Sequence, residues 1–570
     1  MFDKTVVNLK REPDYVDSPL PVVDESRFTT PPNPGAPLRE PNKEWVESTL
    51  AGMTLEEKIG QLLMTSQNAS PERQVGEHHV GGFIFIGNGQ SAAAVVAEVN
   101  RLQAISRIPL WFGIDSEAGV GARIADATML PMLMAFGAAD DPSLMEAAGR
   151  ITARESQALG LQVTFGPVLD VNTEPRNPIV STRSCSDSPD RVARNAAAFV
   201  RGARAEGVLC TFKHYPGHGA SAGDSHSMLP SIDATMEELE EIHLRPYREL
   251  IAESEVDMVM TSHLWFPAVH PETPWPATLS STFNTSILRE QLGFDGLIVS
   301  DAIEMTGVAQ AVPDLSERAV RAVEAGVDII IGTEDLGAAA RGIHDAVESG
   351  RLSPDLIDRS TRRVLTAKSR AGLPERRFVS PDAWRNVLNS PVHREIVREV
   401  CRRAITWAKN DLGAGAVLSP GENIHVVTLL GSQKIFYRFP ATPFHAILDA
   451  AIPGLTKHVV SQVATEADVE QIALATAGAD KIVVLGYDWY AIHPANQVAM
   501  VNRLTEGPAP VIYVGFGAPY HLLQIPGVAA FLCGYATIAA MQETAAEVLL
   551  GRRIAPGALP VSLYPSMSPA

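Results

Sequence analysis

Short apolar runs that each end in polar or glycine-bearing residues recur along the first two thirds of the chain. They read "IGQLLMTSQ", "VGGFIFIGN", "IPLWFGIDSE", "LQVTFGPVLDVN", "GVLCTFKHYPGHG", "DMVMTSHLW", "GLIVSDAIEM" and "GVDIIIGTED". Runs this short, apolar throughout rather than alternating, predict strands buried on both faces. Between them lie stretches of helical period such as "AAAVVAEVNRLQAIS" and "RVARNAAAFVRGARAEG". Eight such units by about residue 375 predict an α/β fold in which a (β/α)8 TIM-like barrel comes first. The same alternation also permits a doubly wound open sheet, although no G-x-G-x-x-G follows the first run. Further apolar runs at "NIHVVTLLG", "DKIVVLGYD", "PVIYVGFG" and "VAAFLCGY" predict a smaller α/β sandwich domain, closed by the irregular segment "GRRIAPGALPVSLYP".

The expected organisation is an N-terminal arm over 1–42, rich in proline and charge, a barrel over 43–375, a linker over 376–395 and a second domain over 396–570. Thr54 followed by Glu57 in "MTLEEKIGQLLM" predicts a capping box that opens a helix. No strong site chemistry is visible in the second domain, where "GYDWYAIHP" reads as packing.

With 570 residues the chain exceeds one ordinary core. Its 47 Lys and Arg against 66 Asp and Glu give a net charge of −19, a field that repels nucleic acid and anionic membrane. The opening residues show no apolar signal core, and no run of eighteen apolar residues occurs, so a cytoplasmic protein without a membrane span is expected. Four scattered cysteines form no CxxC pair and predict buried thiols.

In such a barrel the catalytic groups follow the C-terminal ends of the strands. Collected there are Asp115 and Glu117, Asp170 with Arg183, Lys213 and His214, His263, and Asp301 with Glu304. Asp301, directly after "GLIVS", is placed as a nucleophile would be, or as a carboxylate that caps the next helix or pairs with a loop arginine. Cations mixed with single carboxylates suit the hydroxyls of a sugar ring, which makes carbohydrate the leading substrate class. The loop "KHYPGHGASAGDSHSMLP" adds a choice. His214, His218 and His226 could hold a metal, but they stand four and eight residues apart in a Gly/Pro loop without an HExxH. Alternatively one imidazole serves as acid and base, its tautomer fixed by Asp224 two residues before His226. Neither metal nor cofactor is expected.

Together these motifs resemble the bacterial β-N-acetylglucosaminidases of glycoside hydrolase family 3, including the larger two-domain type. The likeness covers about 45–370 with the motifs in order, and the rest more loosely. "KHYPGHGASAGDSH" resembles that family's Lys-His loop ending in Asp-Ser-His, and "GLIVSDAIEM" its nucleophile strand. The resemblance implies a retaining mechanism with Asp301 as nucleophile and His226, oriented by Asp224, as acid/base. It implies that Asp115, Arg123, Arg183, Lys213 and His214 grip the terminal sugar, and that His218 serves loop structure. Where the family usually reads Asp-Gln-Glu-Gly-Gly-Arg this chain has "DSEAGVGAR", and Cys185 and Ser186 stand where Phe and Gly are common. The expected activity is an exo-β-N-acetylhexosaminidase on amino-sugar glycosides. A phosphorylase, transglycosidase or β-glucosidase on the same site, and a non-catalytic sugar-binding protein, are the alternatives.

Overall fold

The computed structural model describes residues 37–66, 70–253, 256–332, 335–430, 442–461, 464–487 and 494–563. Most of the N-terminal arm and the core of "GYDWYAIHP" lie outside the described residues. Each of the eight apolar runs forms a strand: β1 Leu63–Ser66, β2 Gly82–Phe85, β3 Trp111–Ile114, β4 Val163–Thr164, β5 Leu209–Tyr215, β6 Met258–Thr261, β7 Leu297–Ser300 and β8 Ile330–Ile331. Every residue of these strands is buried. Their order β7-β6-β5-β4-β3-β2-β1-β8 is parallel throughout, and a parallel bridge from Val299 to Ile329 closes the ring. The open-sheet alternative is thereby excluded.

Crossovers run through Ala92–Ile105, Pro142–Ala158, Pro189–Ala205 and Leu315–Glu324, among other helices. The helix of the predicted capping box spans Leu55–Gln61, with the Glu57 carboxylate accepting from the Thr54 N–H at 3.0 Å. Inside the barrel Met64, Trp111, Phe165, Met258 and Leu297 pack into one core. Lys368, on the helix Pro354–Arg370, reaches into that interior, donating to Gln61 Oε1 at 2.6 Å and Gly81 O at 2.8 Å. Burial holds its ammonium well below the ordinary 10.5.

A second sheet contains β9 Thr406–Asn410, β10 Ile424–Leu429, β11 Thr456–Val460, β12 Lys481–Gly486, β13 Val511–Gly515 and β14 Ala530–Cys533. Its order is β11-β10-β12-β13-β14-β9, parallel except for β9 against β14. β9 and β11 are additions to the sequence reading. As edge strands they are half-covered or exposed and carry no continuous apolar run. The four cysteines are buried free thiols.

Candidate active site

The residues after β3, β4, β5 and β7 converge at one end of the barrel. Asp115 and Glu117 follow β3 and meet Lys213, whose ammonium lies 2.8 Å from Asp115 Oδ1 and 2.6 Å from Glu117 Oε1. Arg123 pairs with the Asp115 carboxylate and donates to Asn88 Oδ1 at 2.8 Å. Arg183, on the loop after β4, forks onto Glu117 with both nitrogen–oxygen distances at 2.7 Å. The result is a chain of alternating charge, Arg123–Asp115–Lys213–Glu117–Arg183. Burial alone would raise both carboxyls. The cations outweigh it, Lys213 holding Asp115 below its ordinary 3.8 and Arg183 holding Glu117 well below 4.5. Such a fork of guanidinium on carboxylate fixes direction as well as charge.

Asp170 is wholly buried and acts as a junction. Its carboxylate accepts from the His214 and His218 backbone N–H groups at 3.1 and 2.7 Å and bonds His214 Nδ1 at 2.7 Å. Burial opposes the charge, but the His214 imidazole and these donors bring Asp170 down to about 2. His214 Nε2 in turn lies 3.2 Å from an Arg183 nitrogen. The Lys213–His214 and Tyr215–Pro216 peptide bonds are cis. Gly217 has φ +141°, and the space a Cβ would need there is taken by His243.

On the loop that follows, His226 Nδ1 lies 2.7 Å from Asp224 Oδ1, and the His226 N–H donates to the same oxygen at 2.9 Å. The side chains are 59% and 36% exposed, so this pair fronts the open side of the mouth, unlike the buried chain of charges. The hydrogen bond that His226 donates to Asp224 raises the imidazole above the ordinary 6.5, and the negative charge of Asp301 adds to it. Burial would raise Asp301; the imidazoles of His263, His214 and His226 outweigh it and hold the carboxyl below 3.8. Asp301 accepts from the Ala302 N–H at 2.8 Å and His263 Nε2 bonds Ala302 O at 2.9 Å, which fixes the turn that presents the carboxylate.

His214, His218 and His226 each have their own partner. His218 Nε2 lies 3.1 Å from the hydroxyl of Ser225, the residue between Asp224 and His226. Burial brings His218 down to about 4 and keeps it neutral. Among the described residues no cluster of His, Cys, Asp or Glu is disposed to hold a metal ion. The altered motif positions are absorbed by packing: Ser116 Oγ meets Thr164 Oγ1 at 2.6 Å, and Ala118 and Val120 are fully buried. Sequence reasoning collected Glu117 and Asp170 at the mouth without a role, and Ser225 not at all. No spacing in the chain signals these contacts.

A sequence model of the glycosyl hydrolase family 3 N-terminal domain matches residues 54–367. A beta-N-acetylglucosaminidase/beta-glucosidase of Cellulomonas fimi is 28% identical over 554 residues, covering 91% of this chain and 96% of that protein. Among solved structures, a glycoside hydrolase family 3 beta-N-acetylglucosaminidase from Paenibacillus sp. str. FPU-7 superposes with a TM-score of 0.82 at 31% identity. It covers 90% of this chain and 100% of its own. A beta-glucoside phosphorylase superposes with a TM-score of 0.81 at 25% identity, over 95% of this chain and 99% of its own. With an eight-stranded barrel whose matched segment carries the whole charged mouth, this chain belongs to glycosyl hydrolase family 3.

Proposed function

We propose that this protein is a retaining exo-β-N-acetylhexosaminidase that releases terminal N-acetylglucosamine. The observation that carries the reading is the His226–Asp224 pair, bonded at 2.7 Å and within electrostatic reach of the ionised Asp301. Asp301 attacks the anomeric carbon while His226 Nε2–H protonates the departing glycosidic oxygen, and a glycosyl-enzyme forms. The neutral imidazole then takes a proton from water, which attacks the same carbon and frees Asp301 with net retention. An imidazole here takes the place of the second carboxylate of the usual two-carboxylate scheme. Asp224 fixes the tautomer and stabilises the charged ring. Asp115, Arg123, Arg183, Lys213 and His214 grip the terminal ring, and because their network closes the inner side, the aglycone leaves past exposed His226.

The names of the similar proteins support the amino sugar. The phosphorylase likeness supports a second reading, in which phosphate instead of water accepts the glycosyl group. A panel of aryl β-glycosides with and without phosphate separates the two: free N-acetylglucosamine in both buffers supports hydrolysis, and a sugar 1-phosphate in phosphate buffer supports phosphorolysis. Binding of the sugar with no aryl release would support the non-catalytic alternative. We further place the enzyme in the cytoplasm, a reading supported by four unpaired, buried cysteines. The division into an arm over 1–42, a barrel over 43–375, a linker over 376–395 and a second domain over 396–570 is likewise our proposal. It is supported by the sheets lying within 63–331 and 406–533.

A further inference from the structure

The loop that carries Arg183 is braced from outside the barrel. After Ala539–Leu549, the last helix among the described residues, the chain returns to the barrel in an irregular segment. The Gly557 N–H donates to Ile405 O at 3.0 Å, and the next residue, Ala558, donates to Ala138 O on the barrel side at 3.2 Å. Two residues later the Pro560 carbonyl accepts the Ser186 hydroxyl at 2.6 Å, and the Ser562 N–H donates to Asp187 Oδ2 at 2.6 Å. Ser186 and Pro560 are buried, and the contact is tight. A Cβ on Gly137, beneath them, would lie 1.8 Å from Cys185 O and 3.0 Å from Pro560 Cβ.

The brace continues inward without a gap. Ser186 O accepts from the Asn172 N–H at 3.0 Å and from Ser184 Oγ at 2.9 Å, and Ser184 Oγ also donates to Asp170 O at 2.6 Å. Ser184 directly follows Arg183, and Asp170 holds His214 and His218. A second strut comes from Tyr520, whose hydroxyl accepts from Asn172 Nδ2 at 3.0 Å. Ser186 stands where glycine is common in the resembling motif, and glycine has no hydroxyl to offer Pro560. This chain has therefore tied its sugar-gripping loop to its own C-terminal segment.

We propose that Ser186 and Tyr520 are positioning residues: through them the C-terminal region sets the place of Arg183 and hence the affinity for the terminal sugar. The inference rests on the reading of Arg183 as a sugar ligand. It is tested in the full-length enzyme with Ser186→Ala, Tyr520→Phe, Arg183→Ala and the Ser186→Ala/Arg183→Ala double variant, using an aryl N-acetylglucosaminide. Loss of one buried hydrogen bond should raise KM, and the inhibition constant of N-acetylglucosamine, about fivefold. The kcat should stay within about twofold, because the nucleophile and the acid/base lie on other loops. If Ser186 acts through Arg183, the double variant should show the KM of Arg183→Ala alone. An unchanged KM in both Ser186→Ala and Tyr520→Phe overturns the inference, as does a Ser186→Ala effect that persists undiminished without Arg183. A wild-type KM in Arg183→Ala would overturn the sugar-ligand reading and this inference with it, whereas a raised KM there beside unmoved positioning variants removes the inference alone.

Discussion

An exposed histidine beside an exposed carboxylate is a weak ion pair, but at His226 the same contact sets the protonation state. The Asp224 bond raises His226 above 6.5, so the acid form persists to higher pH, while Asp301 stays ionised to below 3.8. The kcat/KM profile should therefore fall on the acid side as Asp301 protonates and on the alkaline side as His226 loses its proton. Asp224→Asn removes the cause of the upward shift, so the alkaline limb should move to lower pH while the acid limb stays. A pH–rate profile of the two enzymes checks this, and an unmoved alkaline limb would assign that limb to another group. His226→Ala should slow substrates with poor leaving groups by about 10²–10⁴-fold yet spare the first step on dinitrophenyl glycosides, which need little protonation. A uniform loss on all leaving groups, measured as a slope against leaving-group pKa, would remove the acid role. The positions of Asp301, Asp224 and His226 were legible because each follows a readable strand or sits in a recognisable motif; their roles remain those proposed above. The partnership of Glu117 with Arg183 spans 66 residues and was not.

At the scale of elements, the eight barrel strands were legible because burial on both faces leaves uninterrupted apolar runs. β9 and β11 were not, because "TWAKN" and "TKHVV" lie at sheet edges with polar residues facing water. The helix Thr306–Ala311, after β7, has a place that no pattern announces: it docks the loop that carries His226. The Gly307 N–H approaches Ser225 O at 3.3 Å, and Gln310 Oε1 accepts from the Leu229 N–H at 3.2 Å. A Cβ on Gly307 would lie 2.8 Å from Met228 O and 3.1 Å from Ser225 O, both backbone atoms that must then move. Gly307→Ala should accordingly shift the loop. Activity on poor leaving groups should fall about tenfold, more than on dinitrophenyl glycosides, because misplacement of about 1 Å costs catalysis before it costs folding. Equal losses on both substrates, or a wild-type rate, would separate this helix from the placement of His226. Thr54→Ala, by contrast, removes a cap far from the mouth. It should cost about 1 kcal/mol in denaturant unfolding and leave KM unchanged.

For the whole molecule, a net charge of −19 surrounds a mouth in which three cations, Arg123, Lys213 and Arg183, share the carboxylates of Asp115 and Glu117. Without Lys213, Asp115 keeps Arg123 and Glu117 keeps Arg183 but both lose a charged donor, so Lys213→Ala should raise KM and also lower stability by about 1.5–3 kcal/mol. Enzyme kinetics beside thermal unfolding checks both. Among the described residues no helix is long and apolar enough to cross a membrane. Two domains were legible from two sets of apolar runs, but their joining was not: Asn172 to Tyr520 and Ser186 to Pro560 link residues 348 and 374 positions apart. The central claim, a covalent intermediate on Asp301, is tested most directly by trapping it. The enzyme is incubated with a 5-fluoro-N-acetylglucosaminyl fluoride, quenched, digested and sequenced by mass spectrometry. The account predicts one added sugar on the peptide containing "GLIVSDAIEM", located at Asp301 and absent in Asp301→Asn. A label on Glu304 or another residue, or turnover with inversion and no adduct, would contradict it.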